Sequence, residues 1–328
     1  MRRREFIALM TGAAAWPLAA RAQQPVRRIG ILTGAAEADP EAQGRLAALR
    51  ERLNELGWTV GRNLSIESRW ASADLEQIRR FAQELIALNL DLIVANATPV
   101  TAEIQRATTT IPVVFVVVSD PVGAGFVRSL ARPGGNMTGF INFEDTMGGK
   151  WLQLLKEIAP AVSRAAMMFN PETAPGGGGY FLPSFEAAAS THGVQPIRAA
   201  VRSSAEIERA IVQLASEPGG GLVMMSDTFM SVNRRQVMQL SNQHKLPVIY
   251  PLGMAAREGG LLGYAADYRD LFRRSAGYVD LILRGEKPAE LPVQVPTKFE
   301  LVVNLKTAKA IGLTIPESFL LRADEVIE

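Results

Sequence analysis

Polar side chains stand where the apolar, strand-like segments of this chain end, and they suit the binding of a small polar molecule. The candidate binding residues in order are Thr33, Thr98, Thr101, Ser119, Asp120, Asn142, Asn170, Asp227, Tyr250 and Tyr264. Open α/β sheets bind ligands at the carboxyl ends of their strands. The helix start at Thr98-Pro99 leaves backbone N–H groups that suit a carboxylate, and Asp227 could hold an ammonium or a hydroxyl. Thr98 and Asp227 could equally be helix caps.

The motifs of enzymes and of cofactor-binding proteins are incomplete or absent. Gly123-Ala-Gly125 resembles a dinucleotide-binding fingerprint, but the third glycine is missing and Asp120-Pro121 separates it from the preceding strand. No G-x-S-x-G nucleophile elbow occurs. The chain has no cysteine, and its two histidines, His192 and His244, lie in turns typical of helix ends. We therefore expect no cofactor, no metal and no catalytic residue.

Apolar runs that alternate with amphipathic segments must position the binding residues. The predicted strands of the first half are Arg28–Leu32, Leu64–Ala71, Asp91–Asn96 and Ile111–Val118, and the predicted helices are Pro40–Leu56, a helix capped by Asp74, and Pro99–Ala107. Strands that alternate with helices indicate a parallel sheet covered on both faces. The predicted fold class is therefore α/β, with doubly wound parallel sheets.

The segment Ser119–Phe140 interrupts this alternation. Pro133, Gly134 and Gly135 form a turn that no helix would tolerate. Within the segment we predict a ligand-facing edge at Ser119-Asp120, a helix from about Gly123 to Ala131, a strand from about Asn136, and a hinge at Gly139–Asn142. The segment would thus carry the chain from one lobe to another.

Three apolar segments of the first half reappear in the same order in the second half. IGIL at Ile29 matches AMMF at Ala166, DLIV at Asp91 matches GLVM at Gly221, and IPVV at Ile111 matches LPVI at Leu246, with offsets of 137, 130 and 135 residues. Near-constant offsets predict two similar lobes. The predicted bounds are 27–140 plus 262–290 for lobe I and 141–261 plus 291–328 for lobe II, with chain crossings near 140, 261 and 290.

Residues 1–22 have the features of an export signal. Arg2–Arg4 precede the apolar stretch Ile7–Ala20, and Ala20-Arg21-Ala22 is a small-x-small cleavage site. The Arg3-Arg4 pair indicates the twin-arginine type, with a Sec signal as the alternative. This segment holds four of the 35 basic and one of the 33 acidic residues, so its removal changes the formal net charge from +2 to −1. The charge gives no support to a nucleic-acid partner, and we expect an exported, soluble protein of the periplasm.

Five longer stretches resemble one protein family. They are DPVGAGFVRSLARPGGNMTGF, EPGGGLVMMSDTF, LPVIYP, DLFRRSAGYVDLILRGEKPAELPVQVPTKFELVVNLKTAKAIGLTIP and RADEVIE. Through them the chain from Val26 to Glu328 resembles the TrpX-like family of ABC-transporter substrate-binding proteins. The resemblance implies a type I periplasmic-binding-protein fold, in which two α/β lobes joined by three crossings close on a small molecule. It also implies amino acids as the first ligand class to test.

One segment departs from the pattern of that family. Members often have bulky aromatic residues after the strand that ends in Tyr250, whereas this chain reads LGMAAREGG, with Gly253 and Met254 at those positions. If this loop forms a wall of the cleft, stacking on an aromatic ligand should be weaker or the pocket larger.

The function expected from these observations is the capture of a small polar molecule, such as an amino acid, by the solute-binding protein of an ABC importer. The ligand would favour a closed state by touching both lobes. The expected partners are that ligand and a permease in the inner membrane. We expect a monomer, with no nucleic acid and no membrane insertion. Two alternatives stay open: a ligand-binding partner of a membrane sensor, and a periplasmic enzyme that uses Asp120 or Asp227 as general base.

Overall fold

The computed structural model describes residues 26–328, which form two α/β lobes, each built on its own β-sheet. The predicted export signal, residues 1–22, lies outside the described residues. Between residues 26 and 328, no helix combines the length and the apolar character that a membrane crossing requires.

The first sheet consists of five parallel strands. They are β1 (Arg27–Thr33), β2 (Leu64–Trp70), β3 (Leu92–Asn96), β4 (Val113–Val118) and β5 (Met137–Ile141), and they lie in the order β2-β1-β3-β4-β5. The helices after the first three strands are α1 (Pro40–Glu55), α2 (Leu75–Ile86) and α3 (Thr98–Ala107). Every residue of β3 and β5 is buried. Burial on both faces explains why these strands are apolar throughout instead of alternating.

The second sheet has seven strands. They are β6 (Arg164–Phe169), β7 (Gln195–Ala200), β8 (Gly220–Met224), β9 (Val248–Tyr250), β10 (Leu262–Ala266), β11 (Phe299–Asn304) and β12 (Glu325–Ile327). The accompanying helices are α4 (Met147–Ile158), α5 (Leu182–Thr191), α6 (Ser204–Ala215), α7 (Thr228–Val232), α8 (Arg234–Gln243), α9 (Gly253–Arg257), α10 (Tyr268–Leu283), α11 (Leu305–Ala310) and α12 (Glu317–Leu320). The spatial order is β7-β6-β8-β9-β10-β11-β12, and β11 runs antiparallel to β10.

The two sheets repeat one topology, as the sequence offsets predict. The first members of the three matched segments lie in β1, β3 and β4, and the second members lie in β6, β8 and β9. The order β2-β1-β3-β4-β5 therefore corresponds strand by strand to β7-β6-β8-β9-β10. The predicted α/β fold with two doubly wound lobes is confirmed. By the same correspondence β5 and β10 are equivalent, and each is the last strand before the chain leaves its lobe.

The predicted crossings near 261 and 290 are wrong, because two segments pair with the other lobe. Residues 262–266 form β10, which pairs with β9 and β11 in the second sheet, and only α10 returns to pack on α1, β4 and β5 of lobe I. An apolar strand sequence does not specify which sheet it joins. The crossing predicted near 290 lies after Gln294 instead, because Gln294 donates its N–H to the Gly139 oxygen of lobe I at 2.8 Å. The chain thus crosses after Ile141, Ala266 and Gln294.

The predicted helix from Gly123 to Ala131 is also wrong, since turns occupy this segment. The Asp120 carboxylate accepts a hydrogen bond from the Gly123 N–H at 2.8 Å. The N–H groups of Phe126 and Val127 both donate to the Pro121 oxygen, which closes a tight loop in place of a helical ladder. Burial of both side chains in the core of lobe I holds this loop.

The predicted cap of α2 and the predicted positions of His192 and His244 at helix ends are confirmed. Asp74 caps α2, where its carboxylate accepts from the Gln77 N–H at 3.0 Å. Gly57 follows α1 with a φ of +96°, a conformation that favours glycine. His192 and His244 are the residues that follow α5 and α8.

Candidate functional site

A cavity lies between the two lobes at the carboxyl ends of strands from both sheets. It encloses about 680 Å³ of empty space, including the solvent at its mouth. Lobe I lines it with residues that follow β1, β3 and β4 and with the first residue of α10, and lobe II lines it with residues that follow β6, β8 and β9. This is the place where a doubly wound sheet presents backbone and polar groups to a ligand.

The start of α3 forms part of the lobe I wall. The residue before the helix, Ala97, has a φ of +88° and provides no side-chain cap. Thr98 was a candidate cap, but its Oγ1 accepts a hydrogen bond from the Ser119 N–H at 3.2 Å and no side chain caps α3. The first turn therefore presents backbone N–H groups that no side chain of the described residues satisfies, at the positive end of the helix dipole.

Arg45, on α1, adds a positive side chain to the same wall. Its side chain is only 14 % exposed, and its guanidinium carbon lies 4.8 Å from the centre of the Tyr268 ring. The Arg45 Nε lies 3.5 Å from a Glu41 oxygen and makes no hydrogen bond within residues 26–328. A buried guanidinium with an unused donor can bind a carboxylate.

Asp227 forms the opposite wall, in lobe II. The sequence predicts either a ligand contact or a helix cap for Asp227. It does cap α7, because its carboxylate accepts a hydrogen bond from the Met230 N–H at 2.7 Å. The same carboxylate accepts from the Asn170 N–H at 2.8 Å and from the Thr173 hydroxyl at 3.1 Å. Burial raises the pKa of Asp227 to about 7, against the opposite effect of these hydrogen bonds. A cationic group beside this carboxylate would favour its ionised form.

A chain of polar side chains joins the two walls at the first crossing. The Ser119 hydroxyl donates to the Asn142 Oδ1 at 2.8 Å, and the Asn142 Nδ2 donates to the Ser226 oxygen at 3.1 Å. All three residues are buried and line the cavity. Since Ser119 belongs to lobe I and Ser226 to lobe II, Asn142 connects the lobes at the base of the cavity.

Aliphatic side chains also line the cavity. They come from Val117 in lobe I and from Pro175, Val232, Leu252 and Met254 in lobe II. The loop whose sequence departs from the family pattern does form a wall, through Leu252 and Met254. Within the described chain Tyr268 is the one aromatic residue that lines this cavity.

The ten predicted binding residues fall into three groups. Thr98, Ser119, Asn142 and Asp227 line the cavity, so that their contact with a ligand stays a prediction. Thr33, Thr101 and Asn170 lie behind it and bond to the groups that form its walls. Asp120, Tyr250 and Tyr264 lie elsewhere.

The three residues behind the walls form hydrogen bonds to residues that line the cavity. The Thr33 hydroxyl donates to Asn96 Oδ1 at 2.8 Å, and Asn96 lines the cavity. The Thr101 hydroxyl donates to the Ala97 oxygen at 3.0 Å. Asn170, as described above, donates its N–H to Asp227.

Three predicted residues are held away from the cavity by local contacts. The Asp120 carboxylate closes the turn to Gly123. Tyr250 is 1 % exposed and sits in the core of lobe II. The Tyr264 ring stacks on Phe299, with centroids 5.7 Å apart. The side chain of a residue at a strand end does not necessarily face the ligand.

Four charged or aromatic residues of the cavity are not among the predicted ones: Asp39, Arg45, Arg234 and Tyr268. All four lie on helices or their caps, whereas the prediction considered strand ends. A correct assignment of β10 to the second sheet would have pointed to Tyr268, which follows that strand at a crossing.

Comparison with known proteins agrees with this architecture. Residues 39–327 match the family model described as ABC transporter substrate binding protein. A tyrosine-binding protein of Clostridioides difficile (strain R20291) is 26% identical over 275 residues, which cover 84% of this chain and 77% of that protein.

Three solved structures each align with 92% of this chain and 99% of their own. A conserved domain protein from Vibrio cholerae has a TM-score of 0.85 at 28% identity. A Streptococcus pneumoniae ABC domain in complex with L-Trp has a TM-score of 0.83 at 27% identity. A ligand-free, open substrate-binding protein with adhesive properties from Clostridium difficile has a TM-score of 0.66 at 26% identity. The predicted resemblance is confirmed, and this chain belongs to the ABC transporter substrate-binding protein family.

Proposed function

We propose that this chain is the periplasmic solute-binding protein of an ABC importer and that it binds a zwitterionic α-amino acid between its lobes. The observation that carries the proposal is the opposite electrostatic character of the two cavity walls. Lobe I presents an uncapped helix start and Arg45, and lobe II presents the carboxylate of Asp227. The other two charged residues of the cavity, Asp39 and Arg234, pair with each other. A molecule with one carboxylate and one ammonium group matches both walls.

The carboxylate of the ligand binds at the start of α3. The free N–H groups of the first turn and the dipole of this ten-residue helix favour an anion there. The buried Nε of Arg45, which makes no hydrogen bond in the described chain, supports the same assignment independently. An arginine–carboxylate hydrogen bond is about twice as strong as a neutral one.

The ammonium group of the ligand binds Asp227. Three hydrogen bonds hold this carboxylate in position, and two oxygens offer about four acceptor sites in total. The raised pKa of Asp227 indicates that its charge is poorly compensated without a ligand. An ammonium group would supply the missing positive charge.

The side chain of the ligand packs on the aliphatic wall. The related proteins of C. difficile and S. pneumoniae are described with tyrosine and with L-Trp. Here Leu252 and Met254 line the cavity, and methionine adapts its shape to different apolar groups. We therefore propose an apolar amino acid, aromatic or aliphatic, as the ligand.

Binding couples to closure of the lobes. The three crossings after Ile141, Ala266 and Gln294 allow rotation of one lobe against the other. At nearly equal sequence identity, the TM-score is 0.83 with the L-Trp complex and 0.66 with the open, ligand-free protein. This difference supports the assignment of the described arrangement to the closed state. A permease of the inner membrane would receive the closed form.

A thermal-shift panel of the mature chain with the twenty L-amino acids tests the ligand class. We expect apolar amino acids to raise the melting temperature with increasing concentration, because they bind only the folded state. D-enantiomers and amino acid amides are the controls. The absence of any shift, together with no amino acid bound to periplasmic protein in a native mass spectrum, would exclude the proposed ligand class.

A further inference from the structure

Arg234 of lobe II reaches across the cleft to Asp39 of lobe I. The Arg234 Nη1 lies 2.8 Å from Asp39 Oδ2, and its Nη2 lies 3.2 Å from Asp39 Oδ1. Arg234 is the first residue of α8, and Asp39 is the N-cap of α1. This is a two-point ion pair between the lobes, at the cavity that both residues line.

A second carboxylate holds the same guanidinium within lobe II. The Arg234 Nε lies 2.9 Å from Glu258 Oε2, and the Nη2 lies 3.1 Å from Glu258 Oε1. Glu258 follows α9 and also pairs with the exposed Arg235. Arg234 therefore occupies its position in lobe II whether or not lobe I is near.

The pair across the cleft is shielded from water. The Arg234 side chain is 6 % exposed and the Asp39 side chain 17 %. Hydrogen bonds and the charge of Arg234 lower the pKa of Asp39 despite its partial burial. Ion pairs with little exposure are screened less by salt than surface pairs are.

Both members keep a second partner in their own lobe when the lobes separate. Asp39 still accepts from the Glu41 N–H, at 3.1 Å, and Arg234 still has Glu258. Opening therefore exposes two paired groups to water and leaves neither buried without a partner. Such a contact can be made and broken at each cycle, whereas a pair without these second partners would hold the lobes together more firmly.

We propose that the Asp39–Arg234 pair is an electrostatic latch that stabilises the closed state and thereby sets the affinity for the ligand. This inference rests on the proposed function, because it assumes that ligand is trapped by closure. Both residues act as positioning residues: they adjust the equilibrium between open and closed states. A ligand that binds the closed state gains affinity in proportion to the closed population.

The test uses Asp39→Asn, because asparagine is also a good helix cap and only the charge is lost. Asp39→Ser is a second version should the first fold poorly. The control is Glu55→Gln on the same helix, which removes an ion pair with Arg273 inside lobe I. Since the chain has no cysteine, spin labels can be placed on Val60→Cys and Val212→Cys, two exposed positions in different lobes.

Two measurements test whether the Asp39–Arg234 pair stabilises the closed state. In pulsed electron resonance without ligand, Asp39→Asn should shift the interlobe distance distribution towards the open state, whereas Glu55→Gln should not. With L-tryptophan as probe, we expect affinity to fall at least about tenfold, mainly through faster dissociation. An unchanged distance distribution would overturn the latch even if tryptophan binds. Failure of the parent chain to bind any apolar amino acid, with the distance shift present, would instead reject the proposed ligand class and keep the latch.

Discussion

The two lobes share one backbone plan and differ in charge at the position where they face each other. Ala97 follows β3 and precedes α3, and Asp227 follows β8 and precedes α7. These two residues are 130 positions apart, which is also the offset between the matched segments at Asp91 and Gly221. At one site the helix start is uncapped, and at the equivalent site a carboxylate caps it. The same topology thus yields a positive wall and a negative wall.

A repeated fold can recognise an asymmetric ligand when equivalent positions in its two lobes differ in charge. A symmetric pair of helix starts would attract anions from both sides, and a symmetric pair of carboxylates would attract cations. Here the cap position makes the difference between the walls, because Asp39 of lobe I and Arg234 of lobe II pair with each other.

Ala97→Asp should have the largest effect, because it gives lobe I the residue of lobe II. A carboxylate at the start of α3 would repel the carboxylate of the ligand. With charges about 4 Å apart and an effective dielectric constant of about 20, repulsion near 4 kcal/mol corresponds to an affinity loss of about 1,000-fold.

The control for this change is Ala97→Gly. Glycine adopts the φ of +88° without strain and adds no charge. Titration calorimetry should show affinity within about threefold of the parent for this variant. Tight binding by Ala97→Asp would contradict the placement of the ligand carboxylate.

Asp227→Asn should have the next largest effect. The amide oxygen keeps an acceptor for the Met230 N–H, so the cap survives, but the charge that binds the ammonium group is lost. The Asn170 N–H loses its acceptor, because the amide nitrogen takes the place of the second oxygen, so the melting temperature should also fall. We expect affinity to fall about 100-fold. Asp227→Ala should lower the melting temperature further, since each buried donor left without an acceptor costs about 1–3 kcal/mol. Equal affinity of Asp227→Asn and the parent would remove this residue from the site.

Gly34→Val should interfere with closure by steric contact between the lobes. A β-carbon at Gly34 would lie 2.6 Å from the Thr228 methyl of lobe II, while its lobe I neighbours stay at 3.7 Å or more. Overpacking costs about 2 kcal/mol, so affinity should fall about 30-fold with little change in the stability of the unliganded chain. Gly44→Val is the control, because no atom lies within 4 Å of its β-carbon. A large loss of stability without ligand would show that the clash is inside lobe I.

A change of pH should have the smallest effect on ligand affinity. The pKa of Asp227 is about 7 without ligand, and an ammonium group binds the ionised form and lowers this pKa. Affinity should therefore be constant above pH 7 and decrease as the pH falls below it, by about tenfold at pH 6. Calorimetry on Asp227→Asn should give a flat profile over the same range. A flat profile in the parent would mean that Asp227 does not change its protonation on binding.

The fold was largely predictable from the sequence. Alternation of apolar runs with amphipathic helices, and three segments repeated at offsets of 130 to 137 residues, are sufficient for two doubly wound lobes. Strand ends indicate Thr98, Ser119 and Asp227 because in a parallel sheet those ends converge, and the predicted hinge indicates Asn142. These predictions depend on local patterns and on their repetition.

The contacts between the lobes were not predictable in the same way. Asp39 and Arg234 are 195 residues apart and lie at the starts of helices, where a charged residue is ordinarily solvent-exposed. The sheet membership of β10 likewise depends on pairing with β9 and β11, which its apolar sequence does not encode. Local periodicity describes each lobe but not the surface where the lobes meet.

The most direct test of the central claim compares one apolar amino acid with its two half-charged analogues by titration calorimetry. The amino acid is L-tryptophan. Its analogues are tryptamine, which lacks the carboxylate, and 3-indolepropionate, which lacks the ammonium group. We predict that both analogues bind at least about 100-fold more weakly to the parent, and that Asp227→Asn weakens tryptophan but leaves 3-indolepropionate unchanged. Equal affinity of the parent for tryptophan and 3-indolepropionate would contradict recognition of a zwitterion between the two lobes.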